Sequence, residues 1–200
     1  MKPKLQFWYE FASTYSFLAA LRIEELAKAA DVEVLWKPFL LGPVFRKYGL
    51  STSPFILNDD KNAYMRADIG RIADDRGLKF QVPESFPVNA LLAARVALSG
   101  ADKSWGPAFT RAVYIAEFSD GLDISNQDII SNLLVKLELD PQEVFAKAFE
   151  QSNKDALKTQ TNDAMDLGLF GAPFFVTEKG TQFWGDDRLE QALTYATKGR

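Results

Sequence analysis

Phe7-Trp8-Tyr9-Glu10-Phe11-Ala12-Ser13-Thr14-Tyr15-Ser16-Phe17 decides how the rest of the chain reads. An apolar, aromatic run with the pattern of a buried strand ends at two small hydroxyl residues, and an amphipathic helix follows at once. In such a strand-turn-helix the first N–H groups of the helix are unpaired and carry the positive end of its dipole. Ser13 or Thr14 therefore stands where an anion such as a thiolate is stabilised. The same residues serve equally as an ordinary helix N-cap, and on this segment alone both readings stay open.

Working outward, Phe17, Leu18, Leu21 and Leu26 predict a helix over 16–30 packed on a sheet, with Arg22, Glu24, Glu25 and Lys28 facing water. Asp31 breaks that pattern, and Val32 to Trp36 alternates as a second strand ending before Pro38, which gives a parallel β-α-β unit. A Gly- and Pro-punctuated connection over 38–54 holds a short helix, 44–48. Helical periodicity then predicts helices over 59–76, 88–98, 107–118, 126–137 (capped by Ser125) and 141–167. Strand chemistry returns with Pro173-Phe174-Phe175-Val176, a turn at Glu178-Lys179-Gly180, a short partner strand Thr181 to Trp184, and a last helix over 188–197. The order β-α-β, helical block, β-β-α is an α/β thioredoxin-like fold interrupted by a large α-helical insertion. Residues 1–41 and 169–200 are expected to form the thioredoxin-like domain and 42–168 the helical one.

With 200 residues, 47% hydrophobic and 25% charged, the chain can bury a sizeable core. A net charge of −4 and the absence of a basic stripe argue against nucleic acid or an anionic membrane as partner. Neither a signal-type apolar region nor an 18-residue apolar span is visible, so a cytoplasmic location is expected. The chain has no Cys and no His. That removes a cysteine nucleophile, an imidazole base, a disulfide framework and the usual zinc or iron constellations, and no metal site is expected. Chemistry near neutral pH then needs a group borrowed from a cofactor, or carboxylates, Lys, Tyr and positioned hydroxyls.

Ser13-Thr14-Tyr15-Ser16 occupies the place where thioredoxin-fold disulfide oxidoreductases carry Cys-x-x-Cys, with both cysteines replaced by serine. Together with Lys37-Pro38-Phe39-Leu40-Leu41-Gly42, Lys61-x-x-Tyr64-Met65-x-x-Asp68, Phe86-Pro87-Val88-Asn89, Gly171-Ala172-Pro173 and Phe183-Trp184-Gly185-Asp186-Asp187-Arg188-Leu189, it resembles the 2-hydroxychromene-2-carboxylate isomerase family and its relatives, the kappa-class glutathione transferases. The resemblance covers nearly the whole chain.

It implies glutathione as cofactor, with Ser13 hydrogen-bonding the sulfur and helping to ionise it. It implies a cis Pro173, with the Ala172 backbone pairing with the cysteinyl part of the tripeptide. Trp184, Gly185, Asp186 and Asp187 would hold the γ-glutamyl end, Lys61 would approach the glycyl carboxylate, and Asn89 would face the second substrate. The implied activity is isomerisation of 2-hydroxychromene-2-carboxylate to trans-o-hydroxybenzylidenepyruvate in aromatic catabolism, by a homodimer acting on a small aromatic carboxylate. A kappa-like transferase or peroxidase is the alternative, and a non-catalytic peptide-binding thioredoxin module a further one. Arg46, Lys47 and Arg95 are unranked candidates for the substrate carboxylate.

The chain departs from the family in four places: Glu10 for Asp, Thr14 for Pro, Leu50 where relatives have Asn, and Asp186 where relatives have Ser, Asn or Gln. An acid at 186 is expected to repel the γ-glutamyl carboxylate unless it turns toward the ammonium. Which of Ser13 and Thr14 meets the sulfur is left open.

Overall fold

The computed structural model describes residues 2–84 and 86–198. β1 (Lys4–Tyr9) alternates between two apolar clusters. Leu5, Phe7 and Tyr9 enter the larger and Trp8 the smaller, the period-2 pattern of a strand, with Lys4 and Gln6 on the Trp8 face only partly covered. Phe7 stacks on Tyr9 and on Phe175, with ring centres 5.0 and 5.5 Å apart. Burying each such ring stabilises the fold by roughly 1.5–3 kcal/mol.

β2 (Glu33–Pro38) pairs in parallel with β1, setting Phe7 opposite Trp36, and β3 (Phe174–Thr177) pairs antiparallel on the other side, setting Phe7 opposite Phe175. β4 (Gln182–Trp184) closes against β3, so that among the described residues the order is β2-β1-β3-β4. β2 runs through Pro38 rather than ending before it; as an edge strand it tolerates the missing N–H. The parallel crossover is made by α1 (Thr14–Ala20) and α2 (Ile23–Ala29). The single helix predicted there is broken at Leu21 and Arg22, and the Arg22 guanidinium is held on Asp186 and Glu190.

Between β2 and β3 lie α3 (Leu41–Lys47), α4 (Asp59–Asp75), α5 (Leu91–Ser99), α6 (Gly106–Phe118), α7 (Gln127–Lys136), α8 (Pro141–Phe149) and α9 (Gln151–Asp166). The helix predicted over 141–167 is two helices, parted at Glu150 with ψ 144°. The Asn153 side chain donates there to the Ala148 and Arg95 carbonyls at 3.1 and 3.0 Å, satisfying the end of α8. The cap of α7 is Asn126, whose Oδ1 accepts the Asp128 N–H; Ser125 instead donates its hydroxyl to Asp123. α5 starts at Leu91, three residues after the predicted start. α10 (Leu189–Lys198) returns to pack on β1, β3, β4 and α2. The larger apolar cluster runs without a break from the sheet into α4 to α8.

One carbonyl ties α6 to the turn after β1. The Glu10 carbonyl accepts the Tyr114 hydroxyl at 2.9 Å and the Ser13 N–H at 3.0 Å. One turn further along α6, Glu117 is fully buried, and burial, with the charges of Glu10 and Asp123, holds its carboxyl well above the usual range. Tyr114→Phe removes one of the two donors to the Glu10 carbonyl and should cost about 1 kcal/mol, read as a lower denaturant midpoint at unchanged slope. A carboxyl raised in the fold contributes stability below its unfolded pKa and loses it as pH rises toward the folded value. Glu117→Gln should therefore melt close to wild type in acid and increasingly above it toward alkali, as thermal melts across pH will report.

Candidate functional site where the first helix meets the cis proline

Ser13 ends the turn that follows β1 and caps α1, its Oγ accepting the Ser16 N–H at 3.2 Å. The same hydroxyl donates to the Ala172 carbonyl at 3.0 Å, from a residue 159 positions along the chain. Capping and the reach to the far strand thus meet at one atom. Thr14, the other hydroxyl considered, is the first residue of α1 and is buried. Ser16, in the place of the second cysteine, is fully buried. α1 has only seven residues, so a positioned hydroxyl matters more here than the field of a long helix.

The Ala172–Pro173 bond is cis, as the resemblance implies; Phe86–Pro87 is cis as well, which the sequence did not announce. The Pro173 carbonyl accepts the Gly185 N–H at 3.0 Å, which brings the end of β4 beside the cis bond. Gly185 has φ 106°, and a Cβ there would stand 2.5 Å from Asp187 Oδ1, so the position calls for glycine. Trp184 is half-exposed and packs edge-on against Phe170 at 4.8 Å. Asp187 is exposed. Ser13, Ala172, Pro173, Trp184, Gly185 and Asp187 therefore form one neighbourhood.

Asp186 belongs to that neighbourhood in sequence but turns the other way. Its side chain is 3% exposed and lies between Arg22 Nε at 3.0 Å and Arg76 Nη2 at 2.7 Å, while Arg22 also donates to the Asp186 carbonyl at 2.7 Å. Two guanidinium groups offset its charge, so the expected repulsion of a nearby ligand carboxylate is neutralised within the protein. This also corrects Arg22, read from the sequence as solvent-facing. Arg76, which ends α4, was missed altogether. Nothing local in the sequence marks either one, because their common partner lies more than a hundred residues away.

α4 is joined to α1 by Tyr15, whose hydroxyl donates to Asp68 Oδ2 at 2.9 Å; burial first, then the Asp68 carboxylate, keeps that phenol protonated. Lys61 lies exposed in the first turn of α4, its N–H held by Asn58. Asn89 is exposed, and its Oδ1 accepts the Leu91 N–H at 3.1 Å, which is a helix-start role. Among the described residues no hydrogen bond joins Lys61 or Asn89 to the Ser13 group. Of the cations considered for the substrate carboxylate, Lys47 donates to the Met165 carbonyl at 2.7 Å and Arg46 is exposed. The arrangement offers a hydroxyl donor, a carbonyl acceptor, an aromatic side and an exposed acid, the set that an extended thiol peptide can use.

Comparison with known proteins bears on the fold that carries these residues. Residues 4–196 match the family profile of the DSBA-like thioredoxin domain. The 2-hydroxychromene-2-carboxylate isomerase of Sphingobium xenophagum is 24% identical over 202 residues, covering 98% of each chain. Glutathione S-transferase kappa 1 of Caenorhabditis elegans is 23% identical over 200 residues, covering 94% of this chain and 88% of the relative. A solved structure of a 2-hydroxychromene-2-carboxylate isomerase superposes with a TM-score of 0.87 at 19% identity, over 98% of this chain and 95% of that one, and speaks for the fold. With the match running from the first strand into the last helix, the chain belongs to the DSBA-like thioredoxin domain family.

Proposed function

We propose that this protein is a glutathione-dependent isomerase of aromatic catabolism, interconverting 2-hydroxychromene-2-carboxylate and trans-o-hydroxybenzylidenepyruvate. The observation that carries the reading is the Ser13 hydroxyl, set between the Ser16 N–H and the Ala172 carbonyl in a chain that has neither Cys nor His. The residues present fit a γ-glutamyl tripeptide. The Ala172 carbonyl can accept a ligand N–H, Trp184 and Gly185 border the same place, and Asp187 offers an exposed carboxylate to an ammonium. Lys61 toward the glycyl carboxylate and Asn89 toward the second substrate are part of the proposal. So are a homodimer and a cytoplasmic setting, where thiols are kept reduced.

Glutathione, when bound, supplies a nucleophilic sulfur whose reversible addition to a conjugated alkene lets the former double bond rotate. Ser13 has one hydroxyl proton, and here it is given to the Ala172 carbonyl. That carbonyl has a second lone pair for a ligand N–H, and the Ser13 hydroxyl can rotate so that its proton meets the sulfur instead, favouring the ionised form. The Arg22 and Arg76 grip on Asp186 keeps its charge from opposing the ligand.

A kappa-like transfer reaction is the second reading, favoured by the name of the Caenorhabditis elegans relative. Assay of total glutathione after complete turnover separates the two: full recovery goes with isomerisation, stoichiometric loss with transfer. Calorimetric titration with reduced glutathione should show saturable binding; no binding at millimolar ligand would sink both. Ser13→Ala should lower turnover about tenfold to a hundredfold, the worth of a roughly 1.5–3 kcal/mol hydrogen bond to a charged acceptor, while the far-ultraviolet spectrum stays native.

A further inference from the structure

Asp186 is where four elements meet. Arg22, in the break between α1 and α2, donates to its Oδ1 at 3.0 Å and to its carbonyl at 2.7 Å, and reaches on to Glu190 in the first turn of α10. Arg76, at the end of α4, donates to Oδ2 at 2.7 Å. Arg22 thus has three acceptor groups, whereas among the described residues the Arg76 side chain has the Asp186 carboxylate alone.

Asp186 to Arg188 is a single 3-10 turn entered from Gly185. With three residues to the turn, successive side chains leave it about 120° apart, so the direction of Asp186 sets that of Asp187. The turn is closed at its start, where Gly185 gives its N–H to the Pro173 carbonyl at 3.0 Å and takes that of Arg188 at 3.1 Å. Asp186 points inward and is 3% exposed, while the Asp187 carboxylate is 73% exposed, with its exposed neighbour Arg188 at 3.6 Å.

We propose that Arg76 is a positioning residue for the γ-glutamyl end of the thiol peptide: by holding Asp186 inward it keeps Asp187 outward, and so gives the site its preference for thiols that carry a γ-glutamyl group. The inference rests on the thiol-peptide reading above. It makes recognition of one end of the ligand depend on a residue of the inserted helical block, more than a hundred positions from the turn it controls. Without Arg76, Oδ2 of a buried carboxylate loses its counter-charge, and turning the acid toward water relieves that cost. In so short a turn the rotation carries Asp187 away and brings a negative charge to the place of the ligand carboxylate. The Ala172 carbonyl and Lys61 lie outside the turn, so the cysteinyl and glycyl parts keep their contacts.

The test is calorimetric titration with reduced glutathione and with cysteinylglycine, which has the same thiol and glycyl end and lacks the γ-glutamyl group. Wild type should bind glutathione the more tightly. Arg76→Ala should reduce the ratio of the two affinities about tenfold or more, the worth of a charge-assisted hydrogen bond, with cysteinylglycine affinity held within about twofold. Arg76→Lys keeps a cation for Asp186 and should retain most of the preference; a lysine variant as indifferent as the alanine one would overturn the ion-pair basis of the proposal. An Arg76→Ala protein that melts lower yet keeps the wild-type ratio has lost only structural support, and that result would overturn the proposal while leaving the thiol site standing. Should Arg76→Ala not fold, Arg76→Gln, which keeps an N–H donor and drops the charge, carries the same expectation and the same refutation. Wild type that binds neither thiol would remove the thiol site and the proposal with it.

Discussion

β1 buries Leu5, Phe7 and Tyr9 on one face and Trp8 on the other, with a partner strand on either side, and the remaining elements are arranged to meet that demand. A six-residue strand with Leu5, Phe7 and Tyr9 on one face and Trp8 on the other needs an apolar layer both above and below. The lower layer comes from α3, α9 and the stretch before β3, through Val44, Ala164 and Leu169. The upper layer comes from α1, α10 and the inserted helices. Because the end of this most constrained strand leads directly into Ser13, the reactive turn inherits the rigidity of the core. A hydroxyl held in this way is placed by packing as well as by its own hydrogen bonds.

Charge is distributed around the turn with a clear asymmetry. On one side, Arg22 and Arg76 converge on the buried carboxylate of Asp186 from two separate helical segments. On the other, Glu10 and Glu117 are buried among aromatic rings and phenols. Removing one partner from a buried ion pair leaves an uncompensated charge, whereas a buried acid without a counter-ion stays neutral by holding its proton.

The strands were legible because their signals are local: an apolar, aromatic run at Phe7 to Phe11, a proline opening Phe174 to Val176, and Gly180 turning one strand into the next. The last helical stretch was legible in outline, since Pro141 and Gly168 bracket it, but its interior break was not. Glu150 departs from helix because Asn153 reaches across to Arg95 as well as to Ala148, and no window of sequence contains that reach. The same holds for Arg76 with Asp186 and for Tyr15 with Asp68, where charge and hydroxyl partners come from different elements. Glu117 illustrates a different limit. An acid within an otherwise apolar helical run, Tyr114-Ile115-Ala116-Glu117-Phe118, carries no local mark of the burial that packing imposes on it. For the candidate site, Ser13 and the Gly-Ala-Pro turn were visible in the sequence, and the inward turn of Asp186 was not.

The two edges of the sheet have a consequence for the protein in a crowded solution. β2 ends in Pro38, which has no N–H to offer a neighbour, and β4 is only three residues long before Gly185 turns the chain away. Lys37 and Glu33 add charge along the β2 edge. A sheet bounded in this way is a poor template for an incoming strand from another molecule, so its very apolar centre does not carry the usual liability to intermolecular β-aggregation.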